Sequence, residues 1–392
     1  MNVRYNTDDA TGAVNFSEAG GQNMKEFAKK ETVFLVAALL AFVSLFLVPP
    51  DAKYADYIDF RTLALLFTLM TVMEGQKQLG VFDRIARVIL KKTDSLKKLA
   101  FTMVFLCFFS SMLITNDVAL ITFVPFTLLL LSVAGCSDRA IPIIVFETVA
   151  ANLGSMLTPV GNPQNLYLYT ASGLNITEFF IITAPVTALS AFLLGLGCLC
   201  IKNVPMQVTV QDDRKELKKA NKGSKAELFF FCFVFLLALL TVLRLVPFYI
   251  PFLTALFGTL LLKPAVLRKI DYFLLLTFIC FFIFIGNMGR VENVSEWLQN
   301  MMQGRELLIS FFASQVISNV PAAILLSGFT DQFKALILGT NIGGLGTLIA
   351  SLASLISYKA FVQENPQKKG KYFLYFTFVN VIFAVVLLLF AL

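Results

Sequence analysis

Apolar segments long enough to cross a lipid bilayer recur along this sequence. Three of them are "TVFLVAALLAFVSLFLV" (32–48), "FFIITAPVTALSAFLLGLGCLCI" (179–201) and "YFLYFTFVNVIFAVVLLLF" (372–390). A helix needs about 17–25 apolar residues to span the hydrocarbon core. Charged residues make up 15% of the chain, whereas soluble domains carry about 25%. The sequence therefore predicts an all-α polytopic membrane protein.

Residue types that are missing or scattered exclude several functions. The sequence has no histidine, which removes imidazole metal ligands, Ser-His catalytic pairs and histidine proton relays. The six cysteines sit mostly in apolar runs, without metal-ligand or disulfide spacing. A membrane enzyme is therefore disfavoured, and no cofactor is expected. The net charge of +7 comes from basic residues in a few loops, so it does not indicate a nucleic-acid partner.

Those basic loops predict the orientation of the chain, because cytoplasmic loops are enriched in Lys and Arg. The loops expected in the cytoplasm are 84–98, 214–225, 263–269 and 367–371, and those expected outside are 49–59, 171–177, 246–250 and 291–304. The chain connects these sides only if segments 99–133 and 306–330 each enter and leave by one face. The expected topology has about nine crossings and two re-entrant hairpins, with the N-terminus inside and the C-terminus outside. Residues 78–93 read as an interfacial helix.

Three sequence matches in the same order indicate an internal repeat. "SMLITNDVA" (111–119) matches "SQVISNVPA" (314–322), "ANLGSMLTPVGNPQN" (151–165) matches "TNIGGLGTLIASLAS" (340–354), and "DFRTLALLF" (59–67) matches "DYFLLLTFI" (271–279). The expected sides make the two repeats inverted, an architecture typical of secondary transporters. The predicted units are a polar cytoplasmic segment (1–30), a first repeat (31–201), a basic cytoplasmic linker (202–226), a connecting transmembrane helix (227–247) and a second repeat (248–392).

Each repeat is expected to contain one hairpin and one broken helix. Residues 99–114 would span about 24 Å at 1.5 Å per residue, which is short of the ~30 Å core and favours a hairpin with Thr115-Asn116-Asp117 at its tip. Glycines and prolines interrupt the predicted helices 141–170 and 335–358. These residues are Gly154, Pro159, Gly161 and Pro163 in the first helix, and Gly339, Gly343, Gly344 and Gly346 in the second.

Broken helices supply the groups that an anion site requires. Half-helix N-termini offer N–H groups and partial positive charge to an anion, and opposed C-terminal ends offer carbonyl oxygens to Na⁺. The polar side chains expected beside them are Thr115, Asn116, Ser318 and Asn319 at the tips, and Asn152, Asn162, Asn165, Asn341 and Thr347 in the interrupted helices. The alternative role for each of them is to cap a helix end or to bridge packed helices.

Asp117 and Glu147 are the carboxylates predicted within the membrane span. Intramembrane ionisable residues are candidates for functional sites, so each is expected to ligate a cation or carry a proton. For Glu147 a solvated position near the cytoplasmic end is the alternative. Val320 and Leu336 stand at the corresponding places of the second repeat, which makes the two carboxylates a break in the symmetry.

The motifs "ITNDVALITFVPF" and "NLGSMLTPVGNPQNLYLYTASG" resemble the ion transporter superfamily, which includes divalent-anion/sodium symporters, citrate transporters, arsenite pumps and one class of Na⁺/H⁺ antiporters. The resemblance covers most of residues 31–392. It implies substrate contacts from both tips and from the breaks, including Thr340, and ion coupling near Gly161. By the same resemblance a Na⁺ site would draw on Thr115, Asn116, Asp117, Gly161, Ser318 and Asn319. It also implies a homodimer.

The resemblance is incomplete at the tips. Asp117 and Val320 replace the third residue of the Ser-Asn-Thr tips of the symporter branch, and an Asn-Asp pair is more similar to the arsenite-pump and citrate-transporter branches. The predicted function is secondary active transport of a small anion, above all a di- or tricarboxylate such as citrate, coupled to Na⁺ or H⁺ in a bacterial inner membrane. The alternatives are proton-coupled efflux of arsenite or another oxyanion, Na⁺/H⁺ exchange, and a passive channel.

Overall fold

The structure is a computed structural model that describes residues 32–81, 95–204 and 225–392. Within those ranges the regular structure consists of helices, and there are no extended strands. The polar segment 1–30, nearly all of the predicted interfacial helix 78–93, and most of the basic loops 84–98 and 214–225 lie outside the described residues.

The first half of the described chain contains two pairs of helices that are each joined end to end. Its helices are α1 (Thr32–Leu47), α2 (Tyr54–Tyr57), α3 (Phe60–Gln78), α4 (Leu96–Ile114), α5 (Asn116–Val133), α6 (Ala140–Ser155), α7 (Pro163–Ser172) and α8 (Ile176–Leu199). A single residue, Thr115, separates α4 from α5, and residues 156–162 separate α6 from α7.

The second half also contains two pairs of helices joined end to end, after a connecting helix. Its helices are α9 (Lys225–Val242), α10 (Tyr249–Leu262), α11 (Tyr272–Gly289), α12 (Glu292–Met302), α13 (Glu306–Ile317), α14 (Asn319–Ser327), α15 (Phe333–Ile342), α16 (Leu352–Glu364) and α17 (Lys369–Ala391). Ser318 alone separates α13 from α14, and residues 343–351 separate α15 from α16.

The helices of the two halves pack in a reciprocal pattern. Helix α1 packs on α11, and α10 packs on α3. Within each half the α4–α5 pair packs on α6, and the α13–α14 pair packs on α15. Across the halves α5 packs on α16, and α14 packs on α7. Each of these contacts in the first half thus has a counterpart in the second.

Matching aspartates begin the matching helices α3 and α11. The carboxylate of Asp59 accepts a hydrogen bond from the Thr62 N–H at 3.0 Å, and that of Asp271 accepts one from the Leu274 N–H at 3.0 Å. An aspartate at this position satisfies one of the unpaired N–H groups at a helix start. The two aspartates of the third sequence match therefore have the same role in both halves.

Five of the described helices are long and apolar enough to cross a membrane: Leu96–Ile114, Ile176–Leu199, Lys225–Val242, Tyr272–Gly289 and Pro366–Ala391. Large apolar side chains point away from the core along many helices, for example Phe46 on α1, Leu261 on α10 and Leu374 on α17. Water would disfavour so much exposed apolar surface, whereas lipid tails accommodate it. The fold is that of a polytopic membrane protein.

The start of α4 differs from the expectation based on length. The helix begins at Leu96 instead of residue 99, because the Leu96 N–H is bound by the Val204 carbonyl at 2.9 Å and Lys97 reaches the Leu199 carbonyl at 2.7 Å. Its 19 residues correspond to about 28 Å. Length alone therefore does not indicate a re-entrant hairpin here, and that interpretation depends on what the tip contacts.

Candidate functional site

The residues that join the paired helices share an unusual backbone conformation. Thr115 has φ 68° and ψ 149°, and Ser318 has φ 73° and ψ 154°. This region is nearly restricted to glycine, and other residues adopt it at a cost of about 1–3 kcal/mol where their surroundings hold them. The next residue supplies such a restraint in each half. The Asn116 N–H donates to the Gly161 carbonyl at 3.1 Å, and the Asn319 N–H donates to the Ala350 carbonyl at 2.9 Å.

Those two carbonyls belong to the interruptions between α6 and α7 and between α15 and α16. Each tip therefore docks against the broken helix of its own half. The match extends to the threonines of the second sequence pair, since Thr158 Oγ1 donates to the Met112 carbonyl and Thr347 Oγ1 donates to the Gln315 carbonyl. The sequence match at these positions thus reflects equivalent contacts.

Side-chain amides satisfy the unpaired carbonyls of both interruptions. Asn165 Nδ2 lies 3.0–3.3 Å from the carbonyls of Ser155, Met156 and Thr158. In the second half Gln315 Nε2 lies 2.8 Å from the Gly343 carbonyl and 2.9 Å from the Leu345 carbonyl. Irregular backbone inside a membrane protein needs such partners, because lipid provides none.

Two buried asparagines connect the halves through the breaks. Asn341 accepts from Asn162 Nδ2 at 3.0 Å and donates to Asn165 Oδ1 at 2.6 Å. Asn152 accepts from Ser351 Oγ at 2.9 Å and donates to Ser354 Oγ at 3.2 Å. Asn152 also accepts from Asn116 Nδ2 of the first tip at 3.1 Å. The tips and breaks consequently form one hydrogen-bonded unit.

A cavity of ≈ 380 Å³ lies against this unit, within the usual size range of small-molecule sites. Of the residues predicted from the sequence, Thr115, Asp117, Asn162 and Ser318 line it. Most of the remaining lining is apolar and comes from α3, α5, α11 and α16, for example Leu69, Val118, Leu274 and Leu355.

The four helices that follow the tips and the breaks all begin at this cavity. Their first turns line it with Asp117 and Val118 of α5, Pro163 and Leu166 of α7, Val320 and Pro321 of α14, and Leu352 and Leu355 of α16. The start of a helix carries about half a positive charge, which remains here although the Asn116 and Asn319 N–H groups donate to break carbonyls. Four helix starts around one cavity favour a negatively charged ligand.

Charged side chains are unevenly distributed over the cavity. Within the described residues the Asp117 carboxylate has no hydrogen-bond or ion-pair partner. Lys269 lies 3.8 Å from Glu74, and the exposed Lys359 forms no ion pair with any described residue. Asp271, which also lines the cavity, caps α11. Asp117 and Lys359 are thus the charged groups that remain available to a ligand.

The cavity reaches the surface beside two lysines, because the exposed Lys269 and Lys359 line it together with the tips. Helices α7 and α14 pack together and against α3 and α11, with Leu69, Leu166 and Ile324 in one apolar cluster. The Tyr167 and Ser327 hydroxyls of these two helices lie 2.7 Å apart.

The other predicted residues lie outside the cavity lining. Asn116, Asn319, Asn152, Asn165, Asn341 and Gly161 form the supporting network, Thr340 back-bonds to the Leu336 carbonyl, and Thr347 is exposed against Gln315. Glu147 is fully buried. Its Oε1 accepts from Thr127 at 2.5 Å, and its Oε2 has no partner among the described residues. The solvated position considered for Glu147 is therefore wrong.

Sequence analysis did not identify Gln315, Lys359 or the Ser351–Ser354 pair. Gln315 stands opposite Met112 in the aligned tips, and the two serines stand opposite Asn162 and Asn165. Their residue types differ from those at the matching positions of the first half, so the motif match does not mark them. The spacing of three residues, present in both Asn162–Asn165 and Ser351–Ser354, was the available signal.

Comparison with known proteins supports a transport function. The citrate transporter family model matches residues 26–332. The chain is 32% identical over 335 residues to the uncharacterized transporter MJ0456 of Methanocaldococcus jannaschii, covering 85% of this chain and 90% of that protein. It is 32% identical over 306 residues to inner membrane protein YbiR of Escherichia coli, covering 77% and 80%. Silicon efflux transporter LSI3 of Oryza sativa subsp. japonica is 29% identical over 163 residues, covering 42% and 32%. The resemblance drawn from the tip and break motifs is confirmed.

Proposed function

This chain belongs to the citrate transporter family, and we propose that it carries a small anion across the membrane together with protons. One observation supports this above all others: four helix starts and the unpaired Asp117 carboxylate face the same cavity. The helix starts supply the binding energy for the anion. A di- or tricarboxylate such as citrate is the preferred substrate, since its charges can reach both the helix starts and Lys359.

The sign of the coupling follows from the charges. An ionised Asp117 repels an anion in the same cavity, and a protonated Asp117 does not. Anion binding and proton binding therefore favour each other, and linkage makes that effect reciprocal. The loaded carrier holds both species, which is symport. Exchange of an anion against a proton would instead require that anion binding and proton binding oppose each other.

Protons fit the site better than Na⁺. A Na⁺ site needs several oxygen atoms directed at one point, and the break carbonyls are the natural source. Here the carbonyls of Gly161 and Ala350 accept from tip N–H groups, and Asn165 and Gln315 donate to five more carbonyls at the breaks. Asp117 by contrast is a carboxylate exposed to the cavity and ready to take up a proton.

Alternating access follows from the arrangement of the two halves. We take them as inverted repeats and the α4–α5 and α13–α14 pairs as re-entrant hairpins, because both tips meet the breaks at the centre. With the basic loops in the cytoplasm, the cavity is open to the inside and α7 and α14 close the outside. Movement of the unit formed by the tips and breaks against α3 and α11 would close the cavity to the inside and open it to the outside. We place the carrier as a homodimer in a bacterial inner membrane.

Efflux of a neutral hydroxylated solute is the second candidate function. It is suggested by the silicon efflux relative and by the apolar lining, in which Thr115, Ser318 and Asn162 are the main hydrogen-bonding groups. A neutral solute would not repel ionised Asp117, so its binding should be independent of Asp117 protonation. Na⁺/H⁺ exchange through Asp117 is a third possibility, and it requires no anion.

A binding screen separates these functions. Purified protein is heated with citrate, succinate, sulfate, arsenite, silicic acid or Na⁺, because a ligand of the folded state raises the melting temperature. The proposal predicts stabilisation by a carboxylate that increases as the pH is lowered. Stabilisation by arsenite or silicic acid alone would favour the second candidate, and stabilisation by Na⁺ alone would contradict proton–anion symport.

A further inference from the structure

A second cavity lies apart from the central one, where α6 begins and α8 ends beside α17. Its volume is ≈ 260 Å³. The lining residues that matter here are Arg139, Lys202, Tyr375, Cys200, Phe146 and Ile201. We call it the basic pocket. Arg139, Cys200 and Lys202 are exposed at its rim, whereas Phe146 and Ile201 are buried and form its apolar floor.

The two cations at the rim are available to a ligand. Neither Arg139 nor Lys202 forms an ion pair with a described residue. The nearest acid, Asp138, is bound by Lys368 at 2.5 Å, and this hydrogen bond lowers the pKa of the Asp138 carboxyl. Asp138 is thus paired with Lys368, and Arg139, whose charge also lowers that pKa, forms no ion pair with a described residue.

The start of α6 adds to the positive potential. The helix begins at Ala140, directly after Arg139, and no side chain caps its first turn. Pro142 of that turn lines the pocket. The Ala140 N–H donates to the Ser137 carbonyl and Pro142 has no N–H, so this start offers an anion the positive end of the helix dipole and not free donors. Two unpaired cations, an uncapped helix start and a cavity of this size together describe a site for one phosphate-sized anion.

The apolar side chains around the basic pocket favour the phosphate of a lipid over a free phosphate ion. On the membrane side of the pocket α8 and α17 expose large apolar side chains, namely Phe192, Leu196, Leu374 and Phe378. The basic loops place this end of the molecule at the cytoplasmic leaflet, where anionic lipids concentrate, and basic pockets between helices at this level suit their headgroups. We propose that the basic pocket binds the headgroup of an anionic phospholipid, with its acyl chains along α8 and α17.

Cys200 provides a direct readout, because its exposed thiol lines the pocket. The unmodified protein is placed in nanodiscs of pure phosphatidylcholine, or of equal parts phosphatidylglycerol and phosphatidylcholine. Labelling by N-ethylmaleimide is then followed at each cysteine by mass spectrometry. We expect phosphatidylglycerol to slow labelling of Cys200 and to leave that of Cys136, which is partly exposed between α5 and α6 and lies outside the pocket lining, unchanged. Equal rates for Cys200 in the two lipid mixtures would overturn the proposal.

A paired substitution separates specific binding from surface potential. Each basic residue near the surface contributes about fivefold to anionic-lipid affinity, so Arg139→Gln with Lys202→Gln should weaken protection of Cys200 about 25-fold. The matched control, Lys369→Gln with Lys371→Gln, removes two exposed cations of α17 that lie outside the pocket and should retain protection. Protection that persists in the Arg139/Lys202 variant would show a general surface effect and contradict the proposal.

Free phosphate distinguishes the source of the anion. Inorganic phosphate is added to the unmodified protein in phosphatidylcholine nanodiscs. The lipid site predicts no protection of Cys200 under these conditions. Protection equal to that by phosphatidylglycerol would identify a soluble-anion site and overturn the lipid assignment. If the double variant fails to fold, the comparison of Cys200 with Cys136 in the unmodified protein still decides.

Discussion

At the scale of single residues, the difference between the two tips matters most. Thr115 and Ser318 have nearly the same backbone angles and equivalent contacts, yet Asp117 follows one tip and Val320 the other. The pseudo-symmetric frame holds both residues at the cavity. The proposed proton coupling needs one such carboxylate, and Asp117 beside the first tip lines the cavity where it is needed.

Lys359 is the cation whose removal should weaken anion capture. Lys359→Met is expected to raise the KM for the anion about threefold to fivefold, a size typical of an exposed charge, while Lys359→Arg keeps the charge and should behave like the unmodified protein. Uptake into proteoliposomes measures both. Lys371→Met, which removes an exposed lysine outside the cavity, is the control. Equal KM values for the Met and Arg variants would exclude this role.

At the scale of elements, the strained backbone at the tip of α13–α14 should lower the stability of the protein while it holds the tip in the conformation needed for transport. Ser318→Gly relieves a backbone conformation that costs about 1–3 kcal/mol for other residues, whereas Ser318→Ala retains it. Both variants lose the hydroxyl that lies 3.4 Å from the Ala350 carbonyl. We expect the glycine variant to melt higher than the alanine variant but to transport more slowly, because its tip is less restrained. A higher melting temperature for the alanine variant would contradict the strain.

Close packing of α4 on α6 should make Gly154 intolerant of a side chain. A methyl group there would overlap the Phe108 carbonyl and lie 2.7 Å from Ser111 Oγ, so Gly154→Ala forces the helices apart. Overpacking of this kind costs about 1–3 kcal/mol. Gly195→Ala on α8 is the control, since its methyl group would lie 3.9 Å from Phe105. Size-exclusion chromatography after mild heating should show loss of the first variant alone.

Local chemistry made much of these elements predictable. Thr115 and Ser318 stand out as polar residues within apolar runs, and Gly161 and Pro163 mark the first break. The partners of Asn152 and Asn341 in the opposite half were not predictable, because they lie about 180–200 residues away and only the packed halves bring them together. Lys359 was missed for a similar reason: its helix ends near a basic loop, where a solvated lysine is the usual case.

At the scale of the whole molecule, the contacts between α7 and α14 should set the balance between the two open states. The hydrogen bond between Tyr167 and Ser327 contributes about 1 kcal/mol. Tyr167→Phe should therefore shift the equilibrium about fivefold away from the state that α7 and α14 close. Hydrogen exchange should become faster in α14 and stay unchanged in α5. Tyr272→Phe removes a hydroxyl bond to the Leu267 carbonyl outside this contact and serves as the control. Unchanged exchange in α14 would show that the hydroxyl pair does not contribute to closure.

Coupled movement of an anion and a proton through Asp117 is the central claim, and internal pH measures it most directly. Proteoliposomes that enclose a pH-sensitive dye receive an inward gradient of the carboxylate found in the binding screen, in medium without Na⁺. The claim predicts that the lumen acidifies as the anion enters, and that Asp117→Asn exchanges the anion without changing the pH. The control variant Asp331→Asn changes an exposed aspartate outside the cavity and should behave like the unmodified protein. Anion entry that requires Na⁺ and leaves the internal pH constant would contradict the claim.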